Sequence, residues 1–107
     1  MTKKNNIDFN KNNGLVPAII QDVNSQEVYM LAYMNKESYE LTTKTKFVHF
    51  WSRSRKKIWL KGEESGNKLK VIEIIADCDQ DTLLIKVKLE GTCVCHTGGK
   101  TCFFNKL

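Results

Sequence analysis

The segment from residue 77 to residue 102 constrains the chain most, because it concentrates side chains of the types that bind metals in proteins. It begins with DCDQD at residues 77–81 and ends with CVCHTGGKTC at residues 93–102, so it contains all four cysteines. Thiolates and imidazole favour zinc, whereas carboxylates favour magnesium or calcium. The segment therefore predicts two kinds of metal site in one short stretch of sequence.

The aspartates of this segment alternate with other residues. In an extended segment, successive side chains point to opposite faces. Asp77, Asp79 and Asp81 would then share one face, and Cys78 would lie on the other. The carboxylates could hold a hard cation while the thiol reaches a soft one. An ordinary acidic turn is the alternative interpretation.

Cys95 and Cys102 flank a loop that contains Thr97 and two glycines. Such a loop can fold back so that both sulfurs meet one ion, and Cys78 would provide a third thiolate. Zinc with three protein ligands keeps a fourth position for water, which is typical of a catalytic site. A structural site that also uses Cys93 is the alternative, although the spacing lacks the paired C-x-x-C pattern.

The length of 107 residues suits a single domain. We expect this domain to span residues 14–107, after a flexible segment at residues 1–13 that is rich in Lys and Asn. The sequence has neither a long apolar run nor the apolar core of a signal peptide. These features predict a cytoplasmic protein with reduced cysteines. The formal net charge of +5 favours anionic partners.

The pattern of apolar residues predicts an α+β fold, with a mostly antiparallel β-sheet and one or two short helices. Asn35 is a suitable N-cap for a helix from Lys36 to about Thr43. The first two strands should form a hairpin, and the second should be buried because both of its faces are largely apolar. The expected strands cover residues 15–22, 27–34, 47–52, 58–61, 69–76 and 82–89.

A basic and aromatic stretch, WSRSRKK at residues 51–57, precedes a loop with two glycines at residues 62–67. In an extended segment Arg53 and Arg55 would share one face, where their guanidinium groups match phosphate oxygens. The glycines allow a ligand to approach the backbone closely, and a tryptophan could stack on a base. The alternatives are a solvated basic strand and a patch that binds nucleic acid.

Several motifs, taken together and in order, resemble those of the phosphoribosyl-AMP cyclohydrolase family of histidine biosynthesis, in its single-domain form. The resemblance extends from about Gly14 to Phe104. We expect the pyrophosphohydrolase activity of the fused form of this family to be absent. The motifs are MLAYMN at 30–35, FWSRSR at 50–55, WLKGE at 59–63, SGN at 65–67, DCDQD at 77–81, CHTG at 95–98 and TCF at 101–103.

The resemblance implies an intertwined homodimer with two metals. Each zinc would be bound by Cys78 of one subunit and by Cys95 and Cys102 of the other. The implied magnesium ligands are Asp77, Asp79 and Asp81. Two departures from the family pattern affect the loop before the thiols. Cys93 is an additional thiol that could compete for metal, and Gly91 lies one residue further from Cys95 than is usual.

The implied reaction opens the adenine ring of 1-(5-phosphoribosyl)-AMP at the N1–C6 bond, with a zinc-activated water as the nucleophile. Three thiolates should acidify this water less than three neutral imidazoles would, so a nearby general base is useful. His96, beside Cys95, is the candidate. A hydrogen bond that only orients the loop is the alternative role for His96. His49, within a strand, is interpreted as structural.

The implied substrate-binding residues lie in the basic stretch and the glycine loop. Arg53, Arg55 and Lys61 would hold the substrate phosphates. Magnesium could neutralise a phosphate or order the aspartate turn, and the sequence leaves both roles open. The full set is Trp51, Ser52, Arg53, Ser54, Arg55, Lys61, Gly62, Glu63, Ser65, Gly66 and Asn67.

Two other functions would use the same residues. A zinc-stabilised nucleic-acid-binding module would have a closed four-ligand zinc site and an affinity that falls steeply with salt. A redox-sensing domain would form a switchable disulfide between its cysteines. The combination of motifs favours the enzyme, with a small-molecule substrate and with neither nucleic acid nor a membrane as its partner.

Overall fold

The structure, a computed structural model, describes residues 7–107. The described chain forms six strands and one helix, which confirms the predicted α+β class. The elements are β1 (Val16–Asp22), β2 (Val28–Met34), α1 (Lys36–Thr45), β3 (His49–Ser52), β4 (Lys57–Leu60), β5 (Lys68–Ala76) and β6 (Leu83–Glu90).

Four strands form the main sheet in the order β2-β1-β6-β5, and β3 pairs with β4 in a separate hairpin. The pairs β1–β2, β3–β4 and β5–β6 are antiparallel, as the sequence predicted. The central pair, β1–β6, is parallel. This pair joins strands from opposite ends of the described chain, and no local sequence pattern indicates it.

One face of the main sheet forms the hydrophobic core. Leu83, Ile85 and Val87 alternate along β6 and are fully buried. Alternate residues of β1 are buried in the same way. Tyr39 of α1 and Phe50 of β3 belong to the same core cluster. The burial of this face therefore also fixes the position of the β3–β4 hairpin.

The opposite face of the main sheet carries an apolar row that remains partly exposed. Ile19 lies opposite Leu31 and Leu84, and Leu84 lies opposite Ile75, so the row crosses all four strands. Leu31 is 45% exposed and Ile75 is 38% exposed. We call these four residues the outer row. The expectation that both faces of the second strand are buried is wrong for the single chain, because β2 lies at the sheet edge.

The helix begins where the sequence predicted. Asn35 caps it: its side chain accepts a hydrogen bond from the Ser38 amide at 2.8 Å, and the Ser38 hydroxyl accepts one from the Asn35 amide at 2.9 Å. The helix continues to Thr45, slightly beyond the expected end. The buried Thr42 hydroxyl accepts a hydrogen bond from the His49 amide at 2.9 Å, which ties α1 to the start of β3.

Within residues 7–107, α1 is the one helix, and it has 10 residues. It is neither long enough nor apolar enough to cross a membrane.

The N-terminal segment contacts the domain wherever it is described. Part of the segment that we predicted to be flexible, residues 1–6, lies outside the described residues. Phe9 packs at a ring-centroid distance of 6.0 Å from Tyr39. The Asp8 amide donates a hydrogen bond to the Gln80 carbonyl at 2.7 Å. These contacts bring the segment beside the β5–β6 turn.

Candidate functional site

The three aspartates of the DCDQD motif converge on one point. Their carboxylate oxygens lie within 4.8 Å of one another, and this is the one group of three or more metal-binding side chains found within residues 7–107. The sequence predicted this convergence from an extended segment, but residues 77–82 form a turn in which Gln80 has φ of 61°. Asp77 holds the turn by accepting hydrogen bonds from the amides of Asp81 and Thr82 at 3.1 and 3.2 Å.

A lysine from the N-terminal segment lies at this carboxylate cluster. Lys11 Nζ is 3.0 Å from Asp79 Oδ2 and 3.4 Å from Asp81 Oδ2. The hydrogen bond to Asp79 raises the pKa of Lys11, and the same bond holds the pKa of Asp79 below its usual value. The cluster thus attracts a cation, as expected of several carboxylates placed close together.

Cys95 lies in a tight loop after β6. The amides of Val94 and Cys95 both donate to the Gly99 carbonyl, and the Gly98 amide donates to the Cys95 carbonyl. Cys95 Sγ lies 3.0 Å from the Thr97 hydroxyl, and this hydrogen bond lowers the pKa of the Cys95 thiol. The loop therefore favours a thiolate at Cys95, which is the form that binds metals.

Cys102 lies near Cys95, and each of the two thiols shifts the pKa of the other. Burial, together with the neighbouring Cys95, raises the pKa of Cys102. All four cysteines, each within the described residues, are free thiols. We call these two neighbouring residues, Cys95 and Cys102, the thiol pair of the candidate site.

The structure does not bring Cys78 to this pair within one chain. Cys78 is exposed in the β5–β6 turn, at the start of β6, whereas Cys95 follows the end of β6. β6 has 8 residues, which separates its ends by about 25 Å. Cys93, the additional thiol, is half-buried and accepts a hydrogen bond from Asn67 Nδ2 at 3.4 Å.

A cleft of about 310 Å³ opens beside the thiol loop. Its walls are β4 with the following glycine loop on one side and the thiol loop on the other. Six of the eleven residues predicted to bind substrate line this cleft, together with His96, which is exposed. We call it the main cleft. The six residues are Arg55, Lys61, Gly62, Glu63, Ser65 and Asn67.

Four other predicted substrate-binding residues line a second depression, of about 560 Å³: Trp51, Ser52, Arg53 and Ser54. Trp59 lines both cavities and therefore stands between them. The Arg53 guanidinium lies 4.1 Å from the centroid of the Tyr33 ring, a cation–π contact that holds it.

The prediction that Arg53 and Arg55 share one face of an extended segment is wrong. β3 ends at Ser52, and residues 53–56 form a turn in which Lys56 has φ of 54°. The Arg55 amide donates a hydrogen bond to the Ser52 hydroxyl at 3.2 Å, which stabilises this turn. The two arginines therefore line different cavities.

Lys61 reaches across the main cleft to the thiol loop. Its ammonium donates a hydrogen bond to the Val94 carbonyl at 2.6 Å and lies 5.8 Å from the Trp59 ring centroid. Its charge also contributes to lowering the pKa of Cys95. His49 has Nδ1 2.8 Å from the Phe47 carbonyl, a local contact that agrees with its interpretation as structural.

Asn67 explains why two glycines flank this cleft. Its side-chain oxygen accepts a hydrogen bond from the Thr92 amide at 3.0 Å, which joins the glycine loop to the thiol loop. A Cβ atom at Gly62 would overlap the Asn67 backbone, and one at Gly91 would overlap the Asn67 side chain. Both glycines also have positive φ, 87° and 153°. The cleft wall therefore depends on these small residues.

Comparison with known proteins identifies the family. Residues 30–104 match the family model described as phosphoribosyl-AMP cyclohydrolase. The chain belongs to the phosphoribosyl-AMP cyclohydrolase family. It is therefore an enzyme, and the matched residues include α1, the strands β3 to β6, the main cleft and all four cysteines.

Individual members of the phosphoribosyl-AMP cyclohydrolase family match the chain almost from end to end. The chain is 55% identical over 102 residues to the phosphoribosyl-AMP cyclohydrolase of Solibacter usitatus (strain Ellin6076), covering 95% of this chain and 81% of that protein. It is 55% identical over 108 residues to that of Cenarchaeum symbiosum (strain A), covering 100% and 99%. It is 56% identical over 94 residues to that of Archaeoglobus fulgidus, covering 88% and 86%.

Sequence reasoning missed three residues that contact the candidate site of this phosphoribosyl-AMP cyclohydrolase family member. Thr97 contacts Cys95 and lies within the CHTG motif, so its position could have suggested a partner for the thiol. The ring of Tyr33 contacts the Arg53 guanidinium. Tyr33 lies within the MLAYMN motif, but that motif does not indicate a contact with Arg53. Lys11 is 68 residues from Asp79 in sequence, and nothing local in the sequence pairs them.

The two loop glycines give a matched test of the main cleft. Gly62 and Gly66 have similar positive φ of 87° and 82°, but a Cβ atom meets the Asn67 backbone only at Gly62. Gly66→Ala should lower the free energy of unfolding by about 1 kcal/mol, the cost of a left-handed alanine. Gly62→Ala should lower it by about 3 kcal/mol or more, because the backbone must also shift. Denaturant unfolding of both variants measures the difference, and equal losses would contradict the close contact with Asn67.

Proposed function

We propose that this chain hydrolyses the N1–C6 bond of the adenine ring of 1-(5-phosphoribosyl)-AMP, a step of L-histidine biosynthesis. The family match over residues 30–104 carries this proposal. The geometry supports it, because Cys95 of the thiol pair lines a cleft that also has cationic and aromatic side chains. A cytoplasmic location stays a prediction.

The thiol pair is chemically suited to zinc. Cys95 and Cys102 provide two soft donors side by side, and Thr97 favours the thiolate form of the first. Cys78 is the proposed third ligand. Zinc bound to these thiols would supply a Lewis acid that activates the attacking water at C6 of the adenine ring.

The protein's own residues bind and orient the substrate. Trp59, between the two cavities, is placed to stack on the adenine ring. The substrate has one phosphate group at each of its two ends, and the basic side chains are likewise divided between the two cavities. Arg55 and Lys61 line the main cleft, and Arg53 lines the second depression. We assign one phosphate to each cavity.

His96 is the proposed general base. It lines the main cleft immediately after Cys95, so its imidazole can take a proton from the attacking water. Imidazole is the side chain that most often serves as a general base in enzymes. Lys61 contacts the Val94 carbonyl in the same loop and so helps to fix where this imidazole enters the cleft.

Magnesium is proposed for the carboxylate cluster. Three converging carboxylates are the ligand type that magnesium prefers. Asp77 already accepts two backbone hydrogen bonds through Oδ1, so its other oxygen remains for a cation. Lys11 contacts the Oδ2 atoms of Asp79 and Asp81. A magnesium ion would therefore compete with the Lys11 ammonium.

The separation of the thiols within one chain supports the proposal of a homodimer. One chain holds Cys78 at one end of β6 and the pair of Cys95 and Cys102 at the other, about 25 Å away. In the proposed dimer, a two-fold axis that packs the two sheets in opposite directions would bring Cys78 of each chain near the thiol pair of the other. The outer row supplies apolar surface for such self-complementary packing.

The first test concerns zinc and its ligands. We expect loss of bound zinc and a decrease in the rate of ring opening of more than about 100-fold in each of three variants: Cys78→Ser, Cys95→Ser and Cys102→Ser. This decrease is larger than the effect typical of replacing a residue that only hydrogen-bonds to a metal ligand. Zinc content is measured by metal analysis, and ring opening by the ultraviolet spectrum of phosphoribosyl-AMP. Removal of metal with a chelator should abolish the activity of the wild type, and added zinc should restore it.

Cys93→Ser is the matched control for this test. The hydroxyl of the introduced serine can still accept the hydrogen bond from Asn67 Nδ2, so this variant should keep most of the bound zinc and most of the activity. Zinc that is retained in Cys102→Ser but lost in Cys93→Ser would overturn the ligand assignment. Full activity in metal-free protein would overturn the zinc-dependent mechanism.

The second test concerns the shared site. Cys78→Ser and Cys95→Ser chains should each be inactive alone, and a mixture under conditions of subunit exchange should regain part of the wild-type activity. Each mixed dimer contains one site with all three thiols intact, because each chain supplies what the other lacks. A mixture of Cys95→Ser with Cys102→Ser is the control, since both changes damage the same half of the site. Recovery in neither mixture after verified exchange would exclude the shared site.

The third test concerns Lys11. Lys11→Met should raise the affinity of the carboxylate cluster for Mg²⁺ by about two- to fivefold, because the competing surface ion pair is weak and is removed. Lys70→Met is the control, since Lys70 is an exposed lysine of β5 and its replacement removes the same charge. Titration calorimetry measures both affinities. Equal changes in the two variants would show that Lys11 does not compete for the cluster.

A further inference from the structure

The segment that carries Cys102 lies along the outer edge of β2. The Thr101 hydroxyl is 2.7 Å from the Val28 carbonyl and 3.1 Å from the Tyr29 carbonyl. The Cys102 amide donates a hydrogen bond to the Tyr29 carbonyl at 2.8 Å. Lys100 also lies 4.0 Å from Glu27. Three successive residues of this segment thus contact three successive residues at the start of the edge strand.

A β-bulge in β2 makes this contact possible. Ile20 pairs with Met30 and Gln21 pairs with Val28, so Tyr29 is the extra residue of the bulge. Both Tyr29 and Met30 are buried, although adjacent strand residues normally face opposite ways. The bulge therefore turns the Tyr29 side chain inward, and its carbonyl, outside the regular ladder with β1, accepts the hydrogen bond from Cys102.

Tyr29 is itself firmly held. Its side chain is 2% exposed, and its hydroxyl donates a hydrogen bond to Asp22 Oδ1 at 3.0 Å. Asp22 in turn accepts hydrogen bonds from the amides of Asn24 and Ser25 at 3.0 and 2.7 Å, which close the β1–β2 turn. The acceptor that Cys102 uses is therefore fixed by the core and by this turn.

We propose that Thr101 is a positioning residue for the thiol pair: its hydroxyl clamps the segment onto the Tyr29 bulge and so holds Cys102 beside Cys95. The hydroxyl donates to the edge of β2 and also accepts a hydrogen bond from the Phe103 amide at 3.1 Å. It therefore fixes the backbone on both sides of Cys102. The effect of Thr101 on zinc binding rests on the proposed function.

The two thiols are held by independent anchors. Cys95 depends on its own loop, which is closed by the Gly99 carbonyl and the Thr97 hydroxyl. Cys102 depends on β2. The Lys100–Glu27 ion pair is long and exposed and contributes little. Loss of the Thr101 hydroxyl should therefore displace Cys102 and leave Cys95 in place.

The decisive experiment compares Thr101→Val with Thr101→Ser in the full chain. Valine keeps the shape of threonine but loses the hydroxyl, whereas serine keeps it. In metal-free protein, alkylation of Cys102 by iodoacetamide, followed by mass spectrometry, should become about five- to tenfold faster in Thr101→Val. Cys95 in the same sample should change less than about twofold, and Thr101→Ser should behave as the wild type.

Zinc affinity, measured by competition with a chromophoric chelator, provides the second readout. It should fall about five- to tenfold in Thr101→Val and recover in Thr101→Ser. Thr92→Val is the control, because the exposed Thr92 uses only its amide in the loop contact with Asn67. Thermal unfolding verifies that each variant is folded, and Thr101→Ala replaces the valine variant if that one is not.

Three outcomes would overturn the positioning role. Cys102 could react in Thr101→Val at the rate found in Thr92→Val, both thiols could become faster by the same factor, or serine could fail to restore the wild-type behaviour. The alkylation measurement needs no metal, so it judges the role of Thr101 even if zinc proves not to be the cofactor. Loss of zinc binding in Cys102→Ser separately tests the proposed function.

Discussion

The parallel pairing of β1 with β6 is the constraint on which the rest of the structure depends. It forms the centre of the main sheet, with β2 beyond β1 and β5 beyond β6. Because the two strands run in the same direction, their carboxyl ends meet at one end of the sheet, where the Val23 amide bonds to the Val87 carbonyl at 2.9 Å. The β1–β2 turn and the thiol loop after β6 consequently lie at the same end.

The same pairing separates the two groups of metal-binding residues. The turn of the carboxylate cluster precedes β6 and lies at the opposite end of the sheet, beside the N-terminal segment with Lys11. Cys78 belongs to this turn, so a single chain of this topology keeps it far from Cys95 and Cys102. This separation is the observation that supports the proposal of a zinc site shared by two chains. The partly exposed outer row lies on the sheet face that such an assembly would cover.

Sequence alone predicted the features that depend on local chemistry. The strand expected at residues 82–89 nearly coincides with β6, and Asn35 marked the start of α1. The cluster of the DCDQD aspartates was also identified, because these residues lie within one short turn. These are features in which neighbours in sequence remain neighbours in space.

Prediction from the sequence failed where the chain forms a turn instead of an expected strand, and where segments distant in sequence come into contact. Arg53 and Arg55 were assigned to one face by a period-two argument, which does not hold once residues 53–56 turn. Lys11 meets Asp79 only because the N-terminal segment packs beside the β5–β6 turn. The parallel β1–β6 pair and the Tyr29 bulge have no local signature. Their register emerges from burial of one sheet face.

The edge position of β2 connects this topology to the chemistry of the candidate site. An edge strand leaves carbonyls without strand partners, which usually favours unwanted association. In this chain the bulge at Tyr29 offers such a carbonyl to the segment of Thr101 and Cys102 instead. The segment reaches that edge because the parallel pair places the end of β6 beside the β1–β2 turn. The arrangement of the two neighbouring thiols is therefore a consequence of the strand order and of the single extra residue in the edge strand.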